Sequence, residues 1–148
     1  DLELLFDVAQ FQAAVHKARS ASPDVRKEEL SRARQLYGGP FLEGSNDDWA
    51  CLRRQDLQQM HHQAMADLGE LLEHSEAIDL YREILDVEPC WEQGHQGLVK
   101  ALLELGRRDE AVRHYHRYVE TLKSQLGLSP SPDMLRLYYS LLDDRAGA

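Results

Sequence analysis

The sequence lacks the features of disulfide-rich, zinc-binding and membrane-spanning proteins. Its 148 residues include two cysteines, Cys51 and Cys90, without a Cys-x-x-Cys pair or a mixed His/Cys ligand pattern. No apolar run is long enough to cross a membrane, and the chain does not open with a charged and then apolar signal segment. We therefore expect reduced thiols and a cytoplasmic location.

Basic residues are also scarce. The chain has 17 Lys and Arg against 26 Asp and Glu, which gives a formal net charge of −9. A surface that binds nucleic acid needs a basic stripe whose cations displace counterions from the phosphates. The sequence therefore predicts no direct contact with nucleic acid and no membrane contact, and it favours a protein partner.

Residue patterns for catalysis, metal binding or cofactor binding are missing as well. On a helix His114 and His116 would point about 200° apart, and His61 and His62 about 100° apart, so neither pair shares an ion. There is no Ser/His/Asp set and no Gly-rich phosphate loop. We expect a chain that is not an enzyme, with no catalytic residues, no metal site and no cofactor.

One unit of the sequence is copied onto another. From Glu76 the chain reads Glu-Ala-Ile-x-x-Tyr, and from Glu110 it reads Glu-Ala-Val-x-x-Tyr, a spacing of 34 residues (110 minus 76). This is the period of the tetratricopeptide (TPR) repeat, a helix-turn-helix unit. The small Ala77 and Ala111 would let paired helices approach closely. Because one such pair cannot bury its apolar face alone, the sequence predicts an all-α, TPR-like fold, a right-handed α-solenoid of about seven helices.

Apolar residues at spacings of three and four define the inward faces of these helices. The predicted inward residues are Val8, Phe11, Val15, Ala18, Leu30, Ala33, Leu36, Tyr37, Trp49, Leu52, Leu57, Met60, Ala64, Leu68, Leu71, Ile78, Tyr81, Leu85, Trp91, His95, Leu98, Leu102, Val112, Tyr115, Val119, Leu122, Leu135, Tyr138 and Leu142. Helix starts are predicted at Ser22, residues 45–47, Ser75 and Ser131, and helix ends at residues 38–40, Pro89, Gly106 and Gly127. The third helix is expected to reach Glu73. Phe41 and Leu42 are expected to pack the loop after the second helix against the helical stack.

Five separated stretches resemble the bacterial transcriptional activator domain (BTAD) of SARP-type regulators. The matching residues are Asp7, Phe11; Ala33, Leu36, Tyr37, Gly39, Pro40, Phe41, Leu42; Trp49, Arg54, Leu57; Pro89, Glu92, Ala101, Leu102, Gly106, Arg107, Glu110, Ala111, Tyr115; and Leu126, Gly127, Pro130, Ser131, Pro132, Leu137, Tyr138. The resemblance covers nearly the whole chain. Gly94 and Gly97 are expected to weaken the helix after Trp91 by about 1 kcal/mol each relative to alanine.

This resemblance implies a regulatory domain that mediates self-association, such as a homodimer, or contacts with the transcription machinery, while a separate winged-helix domain binds DNA. The alternation of Leu2, Leu4 and Phe6 is compatible with a short strand, which the resemblance identifies as the end of a winged-helix wing. We expect residues 1–7 to be a remnant of a preceding domain, 8–144 the TPR-like domain and 145–148 a frayed tail. The alternative is a TPR scaffold or sensor module of a signalling enzyme or ATPase.

The inner surface of a TPR stack is the expected binding groove, because the first helix of each pair lines it. The candidate groove residues are Gln59, His62, Trp91, Gln93, Gln96 and Lys100. The polar side chains among them could bind a peptide or helix, or could be solvated only. Trp91 is either a core residue or an aromatic anchor at the border of the groove.

Overall fold

The computed structural model describes residues 2–37 and 48–146, with side chains for residues 6–37 and 52–143. Over these residues it contains seven helices and no strand: α1 (Leu2–Arg19), α2 (Pro23–Leu36), α3 (Asp48–Leu71), α4 (His74–Val87), α5 (Glu92–Glu104), α6 (Arg108–Leu126) and α7 (Pro132–Ala146). The predicted all-α fold is therefore confirmed. No helix within these residues is long and apolar enough to cross a membrane.

The chain divides into two compact units, residues 1–72 and residues 73–148. In the first unit, α2 packs against both α1 and α3. The predicted α1 face is confirmed, because Val8, Phe11, Val15 and Ala18 are all buried. The turn after α1 is held by Arg26, whose Nε donates to the Ala18 carbonyl oxygen at 3.1 Å. A cation at this place also offsets the negative end of the α1 dipole.

Helix α3 buries the stripe that its sequence predicts only in part. Leu57, Ala64 and Leu68 are buried as expected, but Leu52 is 64% exposed and Met65 is buried instead. Leu52 precedes Leu57 by five residues, which places it about 140° around the helix from the stripe. The sequence also missed His61, which is buried and stacks on Tyr37 at 3.8 Å between ring centroids.

In the second unit, α5 packs against α4 and α6, and α6 packs against α7. Ala77 and Ala111 are both buried, as the repeat predicts. Helix α5 ends in a Schellman motif, in which Gly106 has a φ of 74° and the Arg107 amide donates to the Leu102 carbonyl oxygen at 2.8 Å. Gly127, with a φ of 64°, ends α6 in the left-handed conformation as well, and its amide donates to the Lys123 carbonyl oxygen at 3.1 Å. Both predicted glycine ends are confirmed.

The two glycines of α5 make room for aromatic rings. A Cβ added to Gly94 would lie 2.3 Å from Cε3 of Trp91, and one added to Gly97 would lie 2.4 Å from Cζ of Tyr81. The two aromatic side chains are themselves buried, with their ring centroids 6.3 Å apart. Gly94 and Gly97, although weak helix formers, are therefore the positions where aromatic rings lie against the α5 backbone.

Several predicted boundaries are wrong. Residues from Leu2 onward are helical rather than a strand. The alternation of Leu2, Leu4 and Phe6 is too short to distinguish a strand from a helix, and Leu5, Val8 and Phe11 follow a helical spacing of three residues. Helix α4 starts at His74 with Glu73 as N-cap, so Ser75 lies inside its first turn. Helix α3 ends at Leu71 rather than Glu73, and α7 reaches Ala146, where a frayed tail was expected.

Other expectations meet the structure only in part. Ser22 is the N-cap residue of α2, but its side chain makes no capping hydrogen bond. Several predicted inward residues are half-buried rather than buried: Leu36 in α2, its C-cap residue Tyr37, Met60 and Leu71 in α3, and Val112 and Val119 in α6. Tyr118, which the sequence did not single out, is buried in α6. The predicted starts at residues 45–47, the loop at residues 38–42 and the side chain of Trp49 lie outside the described part of the chain.

The inward face of α7 was placed one residue too far along the chain. Met134 and Leu141 are buried, whereas the predicted Leu135 and Leu142 are each 38% exposed. Tyr138 is half-buried against the cluster of Tyr115, Tyr118, Leu122 and Met134. Periodicity could not choose the face, because apolar and aromatic residues from Leu141 to Tyr139 cover an arc of about 160° around this helix, which is wider than the buried face.

Candidate functional site

Helix α5 presents the polar face on which the sequence predicted partner contacts. Gln93 and Lys100 are exposed and Gln96 is half-buried. The Gln96 side-chain amide donates to Oε1 of Glu92 at 3.2 Å. Spacings of three and four residues put these groups on one side of the helix. We call Gln93, Gln96 and Lys100 the α5 face.

The start of α5 is fixed to the start of α7 by two polar side chains. The Ser131 hydroxyl donates to Oε1 of Glu92, and its oxygen accepts from the Met134 amide at 3.2 Å. Ser131 is therefore both the predicted N-cap of α7 and a tie to α5. Since Glu92 also accepts from Gln96, the α5 face is held in one orientation relative to α7.

A cleft of about 540 Å³ borders the α5 face. Its lining residues come from α5, from the turn that follows α5, and from α6 and α7: Lys100, Leu103, Glu104, Gly106, Arg108, Leu137 and Ser140. Lys100 and Arg108 bring two positive charges to the cleft and Glu104 brings one negative charge, so the cleft is net positive in a chain whose net charge is −9. Leu103 and Leu137 supply apolar surface. This combination suits a protein segment with apolar side chains and a carboxylate.

Trp91 belongs to the core of the second unit. Its side chain is 8% exposed and lies against Gly94 and Tyr81. Trp91 is also the N-cap residue of α5, with its carbonyl accepting from the His95 amide at 3.3 Å. The structure favours the role of core residue for Trp91 over that of aromatic anchor, and Trp91 packs beneath the α5 face.

The remaining candidates, Gln59 and His62, lie on α3 in the first unit. Gln59 is exposed and His62 is half-buried, with its ring centroid 6.0 Å from that of His61. Burial, together with the neighbouring His62, lowers the pKa of His61 to about 3. His61 is therefore neutral at ordinary pH and acts as a core aromatic beside Tyr37. These α3 groups form a separate patch within their own unit.

The sequence missed a histidine pair in the second unit, formed by buried His95 and half-buried His114. Because a carbonyl oxygen only accepts, His95 Nε2–H donates to the Pro89 oxygen at 2.7 Å. The lone pair of neutral His95 is then on Nδ1, which accepts from His114 Nε2–H at 2.8 Å. His95 was predicted to face inward, but nothing in a single sequence links it to His114, which lies 19 residues away on α6.

Both histidines of this pair are kept neutral. Burial, together with His95, Arg117 and Arg82, lowers the pKa of His114 to about 4. Burial also lowers the pKa of His95, against the opposing effects of its bond to Pro89 and of nearby Glu92. Among the described residues no group of three or more His, Cys, Asp or Glu side chains could hold a metal ion. The pair is arranged for packing and hydrogen bonding within the unit.

Comparison with known proteins gives a family and a fold. The family model described as the bacterial transcriptional activator domain matches residues 6–142. The solved structure of Mycobacterium tuberculosis EmbR in complex with low affinity phosphopeptide is similar, with a TM-score of 0.76 and 24% sequence identity. The likeness covers 95% of this chain but 38% of the EmbR chain, and at this identity it shows the fold alone. Comparison with curated proteins gives no match.

Proposed function

Because the chain belongs to the bacterial transcriptional activator domain family, we propose that it is a non-catalytic, protein-binding regulatory domain of a transcription regulator. It would act together with a winged-helix DNA-binding domain of the same protein. The observation that carries this proposal is the family match over residues 6–142, nearly the full length of the chain. The same match favours this function over a scaffold or sensor module of a signalling enzyme or ATPase.

The proposed mechanism is binding rather than chemistry. In the second unit, His95 and His114 are hydrogen-bonded to each other and His95 also to Pro89. Glu92 is hydrogen-bonded to Ser131 and Gln96. These groups hold helices in place, so they support a rigid surface for a partner. The EmbR structure contains a phosphopeptide, and protein is the class of partner that we propose here as well.

We assign the partner site of this proposal to the α5 face and the cleft beside it. Lys100 and Arg108 would pair with a carboxylate of the partner, while Leu103 and Leu137 would contact its apolar side chains. Gln93 and Gln96 would donate and accept hydrogen bonds at the rim. Gln59 and His62 are proposed as a second contact patch on the first unit. Partner binding would couple promoter recognition to contacts with the transcription machinery.

The test is a charge reversal on the α5 face in the regulator that contains this chain. Lys100→Glu should reduce transcription of the regulated genes in the source cells and reduce recovery of the partner in affinity purification. Lys123→Glu, which changes an exposed lysine of α6 away from this face, is the matched control. Unchanged transcript levels and unchanged partner recovery for Lys100→Glu would refute the assigned site.

A further inference from the structure

A second cleft in the second unit lies between helices α4, α5 and α6. Its volume is about 350 Å³, and small-molecule sites have volumes of about 300–1,000 Å³. Leu85, Leu98 and Tyr118 give it an apolar wall. It shares no lining residue with the cleft beside Lys100, so the two clefts are distinct. We call this one the α4–α6 cleft.

Two arginines from different helices line the α4–α6 cleft. Arg82 lies on α4 and Arg117 on α6, and both side chains are exposed. Among the residues that the structure describes, neither guanidinium makes a hydrogen bond or an ion pair. Arg82 also attracts Glu110, but that carboxylate is hydrogen-bonded to Arg107. The acidic residue of the described lining is Asp86, so the cleft is net positive in a chain whose net charge is −9.

The two arginine charges converge on one side chain of the cleft, His114. Arg117 follows His114 by three residues and therefore lies on the same face of α6. Burial, His95, Arg117 and Arg82 all lower the pKa of His114, and no acidic group opposes them. Glu92 acts on His95 instead. An anion beside the His114 ring would therefore be attracted by both arginines.

His114 also determines which hydrogen bond a ligand must make. Its Nε2–H donates to His95 Nδ1, because His95 Nε2–H donates to the Pro89 oxygen. Neutral His114 then carries its lone pair on Nδ1. This nitrogen has no hydrogen-bond partner among the described residues, and it is not a fully buried atom. A ligand that fits the cleft must therefore bring a negative charge for the arginines and a hydrogen for His114.

A phosphate group brings both. Its anionic oxygens are the preferred acceptors of a guanidinium fork, which can donate two parallel N–H bonds. A phosphate monoester has a second pKa of about 6, so near neutral pH it keeps or readily regains a proton that can bridge to Nδ1. A carboxylate or a sulfate brings no proton at this pH. His114 would then have to take one from water, although its pKa is lowered to about 4.

We propose that the α4–α6 cleft binds the phosphate group of a small phosphorylated organic molecule, with Arg82 and Arg117 pairing with its oxygens and Nδ1 of His114 sharing its proton. The organic part of the molecule contacts the apolar wall at Leu85 and Leu98. This site goes beyond the proposed function, because it gives the regulatory domain a small-molecule ligand in addition to a protein partner.

The experiment is an NMR titration of the full 148-residue chain with inorganic phosphate at about pH 6. The ring signals of His114 should move and saturate, whereas those of the exposed His116 should move little. Sulfate has the same shape and a larger negative charge at this pH. It should nevertheless bind about tenfold more weakly, because it lacks the hydrogen for Nδ1. Attraction to positive charge alone would give the opposite order.

Variants of the arginines test their part in the site. Arg82→Gln and Arg117→Gln should each weaken phosphate binding about tenfold or more, because each removes a charge-assisted pair. Arg113→Gln is the matched control, since it changes an exposed arginine of α6 that does not line the cleft. Circular dichroism and thermal melting should show that all three variants keep the helical fold.

A second ligand distinguishes a phosphorylated organic molecule from the free ion. Phenyl phosphate should bind more tightly than inorganic phosphate, because its ring buries apolar surface against the wall of the cleft. Equal or weaker binding of phenyl phosphate would overturn the assignment to an organic phosphate.

Three further outcomes would overturn the proposal. The first is a titration in which the His114 signals do not saturate with phosphate. The second is sulfate binding that equals or exceeds phosphate binding. The third is phosphate binding that the two cleft variants leave unchanged, or that Arg113→Gln weakens as much as they do. Since none of these measurements uses α5 variants or transcript levels, this proposal and the proposed function can fail separately.

Discussion

Replacing Gly97 with alanine should destabilise the protein although alanine is the better helix former. In an exposed helix this change would stabilise by about 1 kcal/mol. Here the new Cβ would lie 2.4 Å from Cζ and 2.7 Å from Cε2 and the hydroxyl oxygen of Tyr81. No pair of carbon atoms packs at such distances, so the ring or the α4–α5 spacing must move.

The size of the effect follows from the lack of space around Tyr81. The ring is buried, with Trp91 beside it, so the tip cannot swing into solvent without leaving the core. Overpacking of a close-packed core costs about 1–3 kcal/mol. After subtraction of the gain in helix propensity, we expect a net loss of about 1 kcal/mol, which lowers Tm by about 2–4 °C in a domain of this length.

A double-mutant cycle isolates the contact. Tyr81→Leu removes the ring tip and is itself destabilising, but in that background Gly97→Ala should be neutral or should raise Tm. Urea unfolding followed by circular dichroism gives the four free energies of unfolding. A higher Tm for Gly97→Ala in the otherwise unchanged chain would refute the reasoning, because the ring would then not occupy the space that glycine leaves.

Three further predictions concern the second unit. Ala77→Leu and Ala111→Leu should each cost about 1–3 kcal/mol by overpacking helix pairs, and thermal melts of both that match the unchanged chain would show that the repeat is misplaced. Ser131→Ala should cost about 1–2 kcal/mol, since it removes an N-cap and leaves Glu92 without that donor; Ser124→Ala, at an exposed site, should change Tm little. His114→Gln should reduce the amount of stability that the protein loses in acid. The pKa of His114 is about 4 in the folded chain against 6.5 ordinarily. Between these pH values the unfolded chain binds more protons than the folded chain, so stability falls as the pH drops from about 6.5 to 4. Urea unfolding at pH 7 and 4.5 should show a difference of about 1–2 kcal/mol between the two chains, and equal pH dependence would contradict this.

The sequence predicts helices well where one face alone is apolar. The α1 stripe of Val8, Phe11, Val15 and Ala18 was placed correctly because, from Val8 onward, the large apolar residues are confined to that stripe. The polar residues there are Gln10, Gln12, His16, Lys17 and Arg19. The ends at Gly106 and Gly127 were also predicted, since each is a local choice: only glycine takes positive φ without strain. These are cases in which a short stretch of chain contains all the information that decides its structure.

The predictions from sequence fail where contacts between residues far apart in the chain determine which side chains are buried or paired. The apolar residues of α7 cover an arc wider than its buried face, so only the fit of Met134 against Tyr115, Tyr118 and Leu122 of α6 selects that face. Gly94 and Gly97 appear as defects from helix propensity, and their role is visible only once the rings of Trp91 and Tyr81 are in place. The pairing of His95 with His114 likewise depends on how α5 and α6 pack, which periodicity does not specify.

The candidate site was predicted in its polar part only. Gln93, Gln96 and Lys100 could be assigned to one helix face by spacing alone. The tie between Glu92 and Ser131, 39 residues apart, and the cleft beside Lys100 depend on the approach of α5 and α7. The role of an aromatic residue such as Trp91 is ambiguous in sequence, because the same residue types serve as core residues and as binding anchors.

The most direct test of the central claim is a comparison of transcript levels in the source cells. One strain would carry the gene for the unchanged regulator, and the other would carry the same gene without the codons for residues 8–144. If the chain is the regulatory domain of a transcription regulator, a defined set of transcripts should change and an unchanged copy of the gene should restore it. Identical transcript levels in the two strains, with the shortened protein present and folded, would contradict the account.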